Sequence, residues 1–181
     1  MSDELFVSNC SPTISGLKTG SMFSAEYKTE SEVSAELERL NEMLNPKGMR
    51  ILPLRYMENR VLLYVYRKSS LADDLSNEKA KSILCACGYP CGKSEACIAH
   101  LAERMHRSKD FPHEVGLFLG YPPEDVIGFI ENKAQNSKFI GCWKVYGDVE
   151  AAKEKFSSYE KCTEQNRRKM KNGWTLGEII Q

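Results

Sequence analysis

The sequence predicts an α/β chain of the α+β kind, a small mixed sheet flanked by helices, and three observations carry that reading. Segments with apolar residues every three or four positions alternate with short runs rich in β-branched and aromatic residues, the two periods that distinguish helix from strand. Hydrophobic residues supply 41% of the 181 positions and charged residues 28%, enough for a core of ordinary size and too apolar for a disordered chain. Breaks containing Gly and Pro order the segments as α-β-β-α-α-β-α-β-α, which suits a sheet covered by helices. No repeat, low-complexity tract or shift in composition divides the chain, so residues 1–181 are expected to form a single globular domain.

Between Glu30 and Leu44, the residues Val33, Leu37, Leu40 and Leu44 form the stripe of an amphipathic helix, ended by Asn45-Pro46-Lys47-Gly48. Met49 to Leu54 and Arg60 to Tyr66 follow as two strands of a hairpin turning at Met57-Glu58-Asn59. Ser76 is placed to cap a helix that buries Ala80, Ile83, Leu84 and Cys87, with Gly88 closing it. Ser94 caps the next, which buries Ile98, Leu101, Ala102 and Met105 and runs out near Arg107. The apolar run Glu114 to Leu119 is expected to be a short buried strand stopped by Pro122-Pro123. Pro123 then opens a helix, with Glu124 and Asp125 in its first turn and Val126, Phe129 and Ile130 on its apolar face. Cys142 to Tyr146 makes the last strand, Gly147-Asp148 the turn, and Val149 to about Lys171 a final helix anchored by Phe156 and Tyr159.

Charge and flanking segments narrow the function classes. Lys plus Arg and Asp plus Glu each number 25, so no net charge draws the chain to a phosphate backbone, and no nucleic-acid partner is expected. The acidic start Met1-Ser2-Asp3-Glu4-Leu5 lacks the basic and apolar regions of a secretion signal. No window has the length of a membrane span, so no membrane partner is expected either. Seven cysteines without an export signal are expected to be reduced thiols in a cytoplasmic protein. A small molecule or peptide is the partner class that remains.

Three constellations are candidates for chemistry. In the first, Cys10 precedes Ser11-Pro12, where Ser caps a helix and Pro takes its first position, so the thiol is expected at a helix amino end that lowers its pKa. His113, at the mouth of the apolar run, is the matching base, and Asp148 the orienting acid, with Asp125 an alternative. The assignment is Cys10, His113 and Asp148 as a catalytic set; the alternative is a buried structural thiol and a histidine bonded to backbone. The second is the group Cys85, Cys87, Cys91 and Cys97, whose spacing departs from paired zinc knuckles. On one helix Cys85 and Cys87 point about 200° apart, so no metal ligand is assigned. The third is a non-catalytic pocket for a partner protein or a small molecule, flat haem-like rings included, walled by Tyr64, Tyr66, Phe118, Tyr121, Trp143 and Tyr146; the alternative is that these are core aromatics. No cofactor is assigned. Gly88-Tyr89-Pro90-Cys91-Gly92-Lys93-Ser94 ends like a phosphate-binding loop, but its first glycine is one residue too close and a helix leads into it.

Four stretches carry a family resemblance: Cys10-Ser11-Pro12-Thr13 with Gly16-Leu17-Lys18, Val61 to Arg67, Phe111 to Asp125, and Gly141 to Asp148 with Phe156, Tyr159 and Cys162. Together they resemble an uncharacterised domain family of anaerobic Gram-positive bacteria with the DUF3793-type signature, here His113-Glu114-Val115-Gly116-Leu117-Phe118-Leu119-Gly120-Tyr121-Pro122. That resemblance implies a relative and no substrate or cofactor. Cys10-Ser11-Pro12-Thr13 and His113 through Gly120-Tyr121 also resemble, in outline, the papain-like double-glycine peptidases, which implies a thiol-dependent hydrolase or transferase.

Overall fold

Around the turn at Met57, the strands β2 (Met49–Tyr56) and β3 (Arg60–Arg67) form the expected hairpin, and β1 (Gly20–Glu26) joins its other side in the order β1-β3-β2. The computed structural model describes residues 1–90, 92–107 and 111–180. These fall into two compact units, the first formed by residues 1–69 and 159–181 and the second by residues 70–158. The fold class is the predicted α/β one, helices flanking small sheets, and among the described residues every strand pair is antiparallel.

In the first unit, β3 is central and reads as a nearly continuous apolar strand because both faces are covered; Val65 stands between Ser21 and Ile51. Pro53 lies on β2, an edge strand that tolerates a missing amide, and the register slips between it and Arg55. The side chain of Asn41 donates to the carbonyl of Ile51 (2.9 Å) and accepts from its amide (3.0 Å), so helix α2 (Glu30–Leu44) pairs that edge in place of a further strand. Helix α1 (Asp3–Ile14) buries Phe6, Cys10 and Ile14 in the same core as Leu40, Leu44 and Ile51.

Neither α1 nor β1 was expected, and the start of α1 corrects the reading of Cys10. Ser2 caps the helix by accepting the Leu5 amide, and Asp3 and Glu4 favour the positive end of its dipole. Pro12 therefore sits inside the last turn rather than at the first position. A proline there forfeits only one intrahelical bond, and the nearby carbonyls of Thr13 and Ile14 accept from Arg67 Nε (2.7 Å) and Nη2 (2.8 Å) instead.

The second unit takes in most of α3 (Lys68–Ser76), then α4 (Glu78–Ala86), α5 (Ser94–Arg107), α6 (Val115–Phe118) and α7 (Pro123–Glu131). Two short strands follow, β4 (Phe139–Ile140) and β5 (Lys144–Val145), and then the first ten residues of α8 (Val149–Lys171), whose remainder belongs to the first unit with α9 (Leu176–Ile179). Asn77, not Ser76, caps α4, and Ser76 ends α3. Pro123 opens α7 as expected.

The expected strand from Glu114 to Leu119 is instead the single turn of α6. Val115, Gly116, Leu117 and Phe118 are all buried, and a run buried on every side carries no period that separates strand from helix. Two glycines settle the matter locally. Gly120 adopts φ +80° and lets the Tyr121 amide return to the Gly116 carbonyl at 3.0 Å, ending the turn. At Gly116, a Cβ would meet Trp143 and Val126 atoms at 2.7 Å, so only hydrogen fits under the indole. The strand expected over Cys142 to Tyr146 reduces to Lys144–Val145 for a related reason: the Asp125 carboxylate accepts the amides of Tyr146 and Gly147, both at 2.8 Å, which ends the ladder.

Candidate functional site

The three predicted catalytic residues lie in different local settings. Cys10, in the first unit, is fully buried in the middle of α1, and burial pushes its thiol far above the ordinary value, opposed by the charge of Lys18. The expected lowering by a helix amino end is thereby corrected: the thiol lies two turns inside the helix and in a dry core, where desolvation disfavours thiolate. His113 and Asp148 belong to the second unit. The imidazole of His113 is exposed and lies 5.0 Å from the ring centre of Phe129. Asp148 is exposed and accepts the Ala151 amide at 3.0 Å, so it caps α8.

The aromatic residues expected to wall one pocket divide between the units. Tyr64 and Tyr66 stack at 5.0 Å in the first. In the second, the indole of Trp143 lies between Tyr121 at 4.8 Å and Phe129 at 5.2 Å, continuing the row that His113 begins. This packing fits the core-aromatic alternative. Among the cysteines, Cys85 is exposed on α4, Cys87 ends that helix half-buried, and Cys97 is buried on α5. Cys91 lies outside the described residues. Among the described residues no group of three or more His, Cys, Asp or Glu is placed to hold a metal ion.

What the second unit does contain is a cavity of about 770 Å³ between α3, α4 and the start of α5. Leu75, Leu84, Tyr89 and Pro90 give it an apolar wall, and Lys81, Lys93, Ser94 and Glu95 bring polar groups to it. Cys85 and Cys97 also line it. Cys97 Sγ donates to the Pro90 carbonyl at 3.3 Å, tying α5 to the loop that precedes it.

Behind the Tyr89 wall lies a charged cluster. The phenol of Tyr89 donates to Glu114 Oε1 at 2.8 Å, and Arg104 Nε stands 2.9 Å from the same oxygen as an ion pair not aligned as a hydrogen bond. Arg104 Nη1 donates to the Cys87 carbonyl at 3.0 Å, and its guanidinium lies over the Tyr89 ring. Glu114 is only 3% exposed, a placement a carboxylate adopts when it is paired. Burial and the charge of Glu114 push the Tyr89 phenol and the Cys87 thiol up, with Arg104 opposing both. An acidic residue inside an apolar run was the signal in the sequence for this cluster; its partners, Tyr89 and Arg104, carry no local signal.

A family model described as protein of unknown function (DUF3793) matches residues 6–180. The chain belongs to that family. The match takes in both units, so the DUF3793 family covers Cys10 and the cavity alike. No curated protein and no solved structure matches the chain. Much of the DUF3793-type signature is accounted for by architecture: Gly116 admits Trp143, Gly120 ends α6, Pro122 stands at the cap of α7, and Glu114 pairs with Arg104. Among the described residues no helix is long and apolar enough to cross a membrane.

Proposed function

We propose that this chain is a non-catalytic binding protein whose second unit takes up a small amphipathic molecule. The cavity at α3, α4 and α5 carries the reading: its 770 Å³ is the size of a small-molecule site. Its lining, an apolar wall with two lysines, one glutamate and two serine hydroxyls, suits a ligand with a flat apolar body and an ionic or hydrogen-bonding end, the lysines outnumbering the carboxylate and so favouring an anion. The thiol-hydrolase alternative, with Cys10 as nucleophile, His113 as base and Asp148 as orienter, has less behind it, because a nucleophilic thiol needs the thiolate that burial disfavours at Cys10. The exposed Cys142 thiol supports a reducing compartment such as the cytoplasm.

The test is a fluorescence titration with an anilinonaphthalene sulfonate, an apolar ring system carrying one anion. Wild-type protein is expected to bind it saturably at one site. Ala72→Trp, which places an indole in the cavity from an exposed position on α3, is expected to weaken binding about tenfold or more, the equivalent of about 1.4 kcal/mol, without lowering the thermal midpoint. Equal affinity in the two proteins, or no saturable binding to either, overturns the proposal.

A further inference from the structure

Resting on the cavity reading above, we infer that Glu114 is a positioning residue for the cavity: it holds Tyr89 in the wall by its phenol, so the His113-Glu114 signature shapes the site without lining it. Tyr89 is fixed at both ends. Its amide closes α4 by returning to the Leu84 carbonyl at 2.9 Å, and its hydroxyl reaches Glu114 Oε1 at 2.8 Å. Between these points Tyr89 lines the cavity, and its ring has His100 at 4.6 Å and Phe118 at 5.7 Å as neighbours.

Glu114 holds a second connection to the same helix end. It is paired with Arg104, which donates to the Cys87 carbonyl where α4 terminates. A buried carboxylate that lost either partner is costly to keep charged, so the three residues occupy one arrangement rather than several. Tyr89 and Cys87 are thus drawn to the turn that precedes α6, and the cavity edge formed by the end of α4 takes its position from Glu114. Neither Glu114 nor Arg104 is among the residues that line the cavity. An effect of Glu114 on a bound molecule must therefore pass through Tyr89 and the end of α4.

Two measurements test this, and only one needs a ligand. In protein carrying ¹³C at the tyrosine Cζ position, the Tyr89 signal, assigned by its loss in Tyr89→Phe, is expected to shift in Glu114→Ala. In Glu114→Gln it is expected to stay near its original position, because the amide oxygen still accepts the phenol proton. With the anilinonaphthalene sulfonate probe, Tyr89→Phe and Glu114→Ala are each expected to weaken binding about three- to tenfold, the size of one buried hydrogen bond. The double variant is expected to be no worse than the weaker single one, and Glu114→Gln to recover most of the affinity. Should Glu114→Ala unfold, Tyr89→Phe removes a single oxygen and still decides the point. An unmoved Tyr89 signal in Glu114→Ala, additive losses in the double variant, or full affinity in Tyr89→Phe overturns the inference. A wild type that binds no probe removes the binding reading alone, and the ring signal still decides whether Glu114 holds Tyr89.

Discussion

The two units solve the problem of burial differently. In the first, long strands and amphipathic helices bring aliphatic side chains together, and the polar groups near the core serve the backbone: Asn41 pairs a sheet edge and Arg67 donates to the carbonyl end of α1. In the second, the paired strands are two residues long, and order comes from aromatic rings seated on glycines and from two buried carboxylates. Asp125 gathers two backbone amides, and Glu114 gathers Tyr89 and Arg104. A unit built by regular pairing buries its cysteines, Cys10 and Cys162, whereas a unit built by specific polar and aromatic contacts leaves room for a cavity.

That contrast is sharpest in the cysteines. Cys10 is fully buried in the first unit and Cys142 is exposed in the second. Labelling with a small aromatic disulfide is therefore expected to modify Cys142 within the mixing time of an ordinary assay. Cys10 is expected to react at least about a thousandfold more slowly, since it must wait for an opening whose cost is a large part of global stability. Mass spectrometry of the labelled peptides reads both rates. Fast labelling of Cys10 in folded protein would break the comparison and return weight to a reactive thiol. The same burial has a pH consequence. The folded thiol titrates above its unfolded value of about 9, so the folded state keeps a proton that the unfolded chain releases. Its contribution to stability is complete below pH 9 and declines as the pH rises beyond it. Replacing Cys10 with Ala should flatten that alkaline decline in a thermal-midpoint profile.

The sequence made the first unit's hairpin and the helix Glu30–Leu44 legible because their periods are local. The amphipathic stripe on α5 and the proline opening of α7 were legible for the same reason. Helix α1 was hidden by Pro12, which looks like a helix start and works as a tolerated last-turn residue once Arg67 takes the nearby carbonyls. The α6 turn was hidden because burial on all sides erases periodicity, and the features that decide it, Trp143 over Gly116 and the return from Tyr121, lie outside the run or at its edge. At the candidate site the pattern repeats. Glu114 is a charge at the head of an apolar run, but its partner Tyr89 comes from 25 residues earlier, a separation no spacing rule connects.

The glycine seats of the second unit give the next largest expected effect. Gly116→Ala should destabilise the protein by about 1–3 kcal/mol, the usual cost of forcing a methyl into filled space. Its Cβ would sit 2.7 Å from the Trp143 ring and equally close to Val126. Backbone strain is not the cause, because Gly116, unlike Gly120, does not have positive φ. Urea unfolding of Gly116→Ala beside the double variant Gly116→Ala/Trp143→Leu separates the two explanations. Partial recovery in the double variant is expected if the indole is the obstacle, and none if the glycine is needed for its backbone.

The smallest expected effect concerns Asp148, where a catalytic and a capping role make different demands on the same side chain. As a cap it accepts the Ala151 amide at the start of α8 from an exposed position, and its charge also favours the positive end of the helix dipole. Asp148→Ala should therefore cost about 1 kcal/mol, while Asp148→Asn, which keeps an accepting oxygen, should cost only about a few tenths of that. Because α8 continues from the second unit into the first, circular dichroism and urea midpoints should fall together in the Ala variant. An orienting acid would rank the two variants differently, because an amide in place of the carboxylate favours the wrong imidazole tautomer and is nearly as damaging as Ala. Asn behaving like aspartate in stability, with no change in the titration of His113 followed by NMR, assigns Asp148 to the helix. A His113 titration shifted in both variants assigns it to the imidazole.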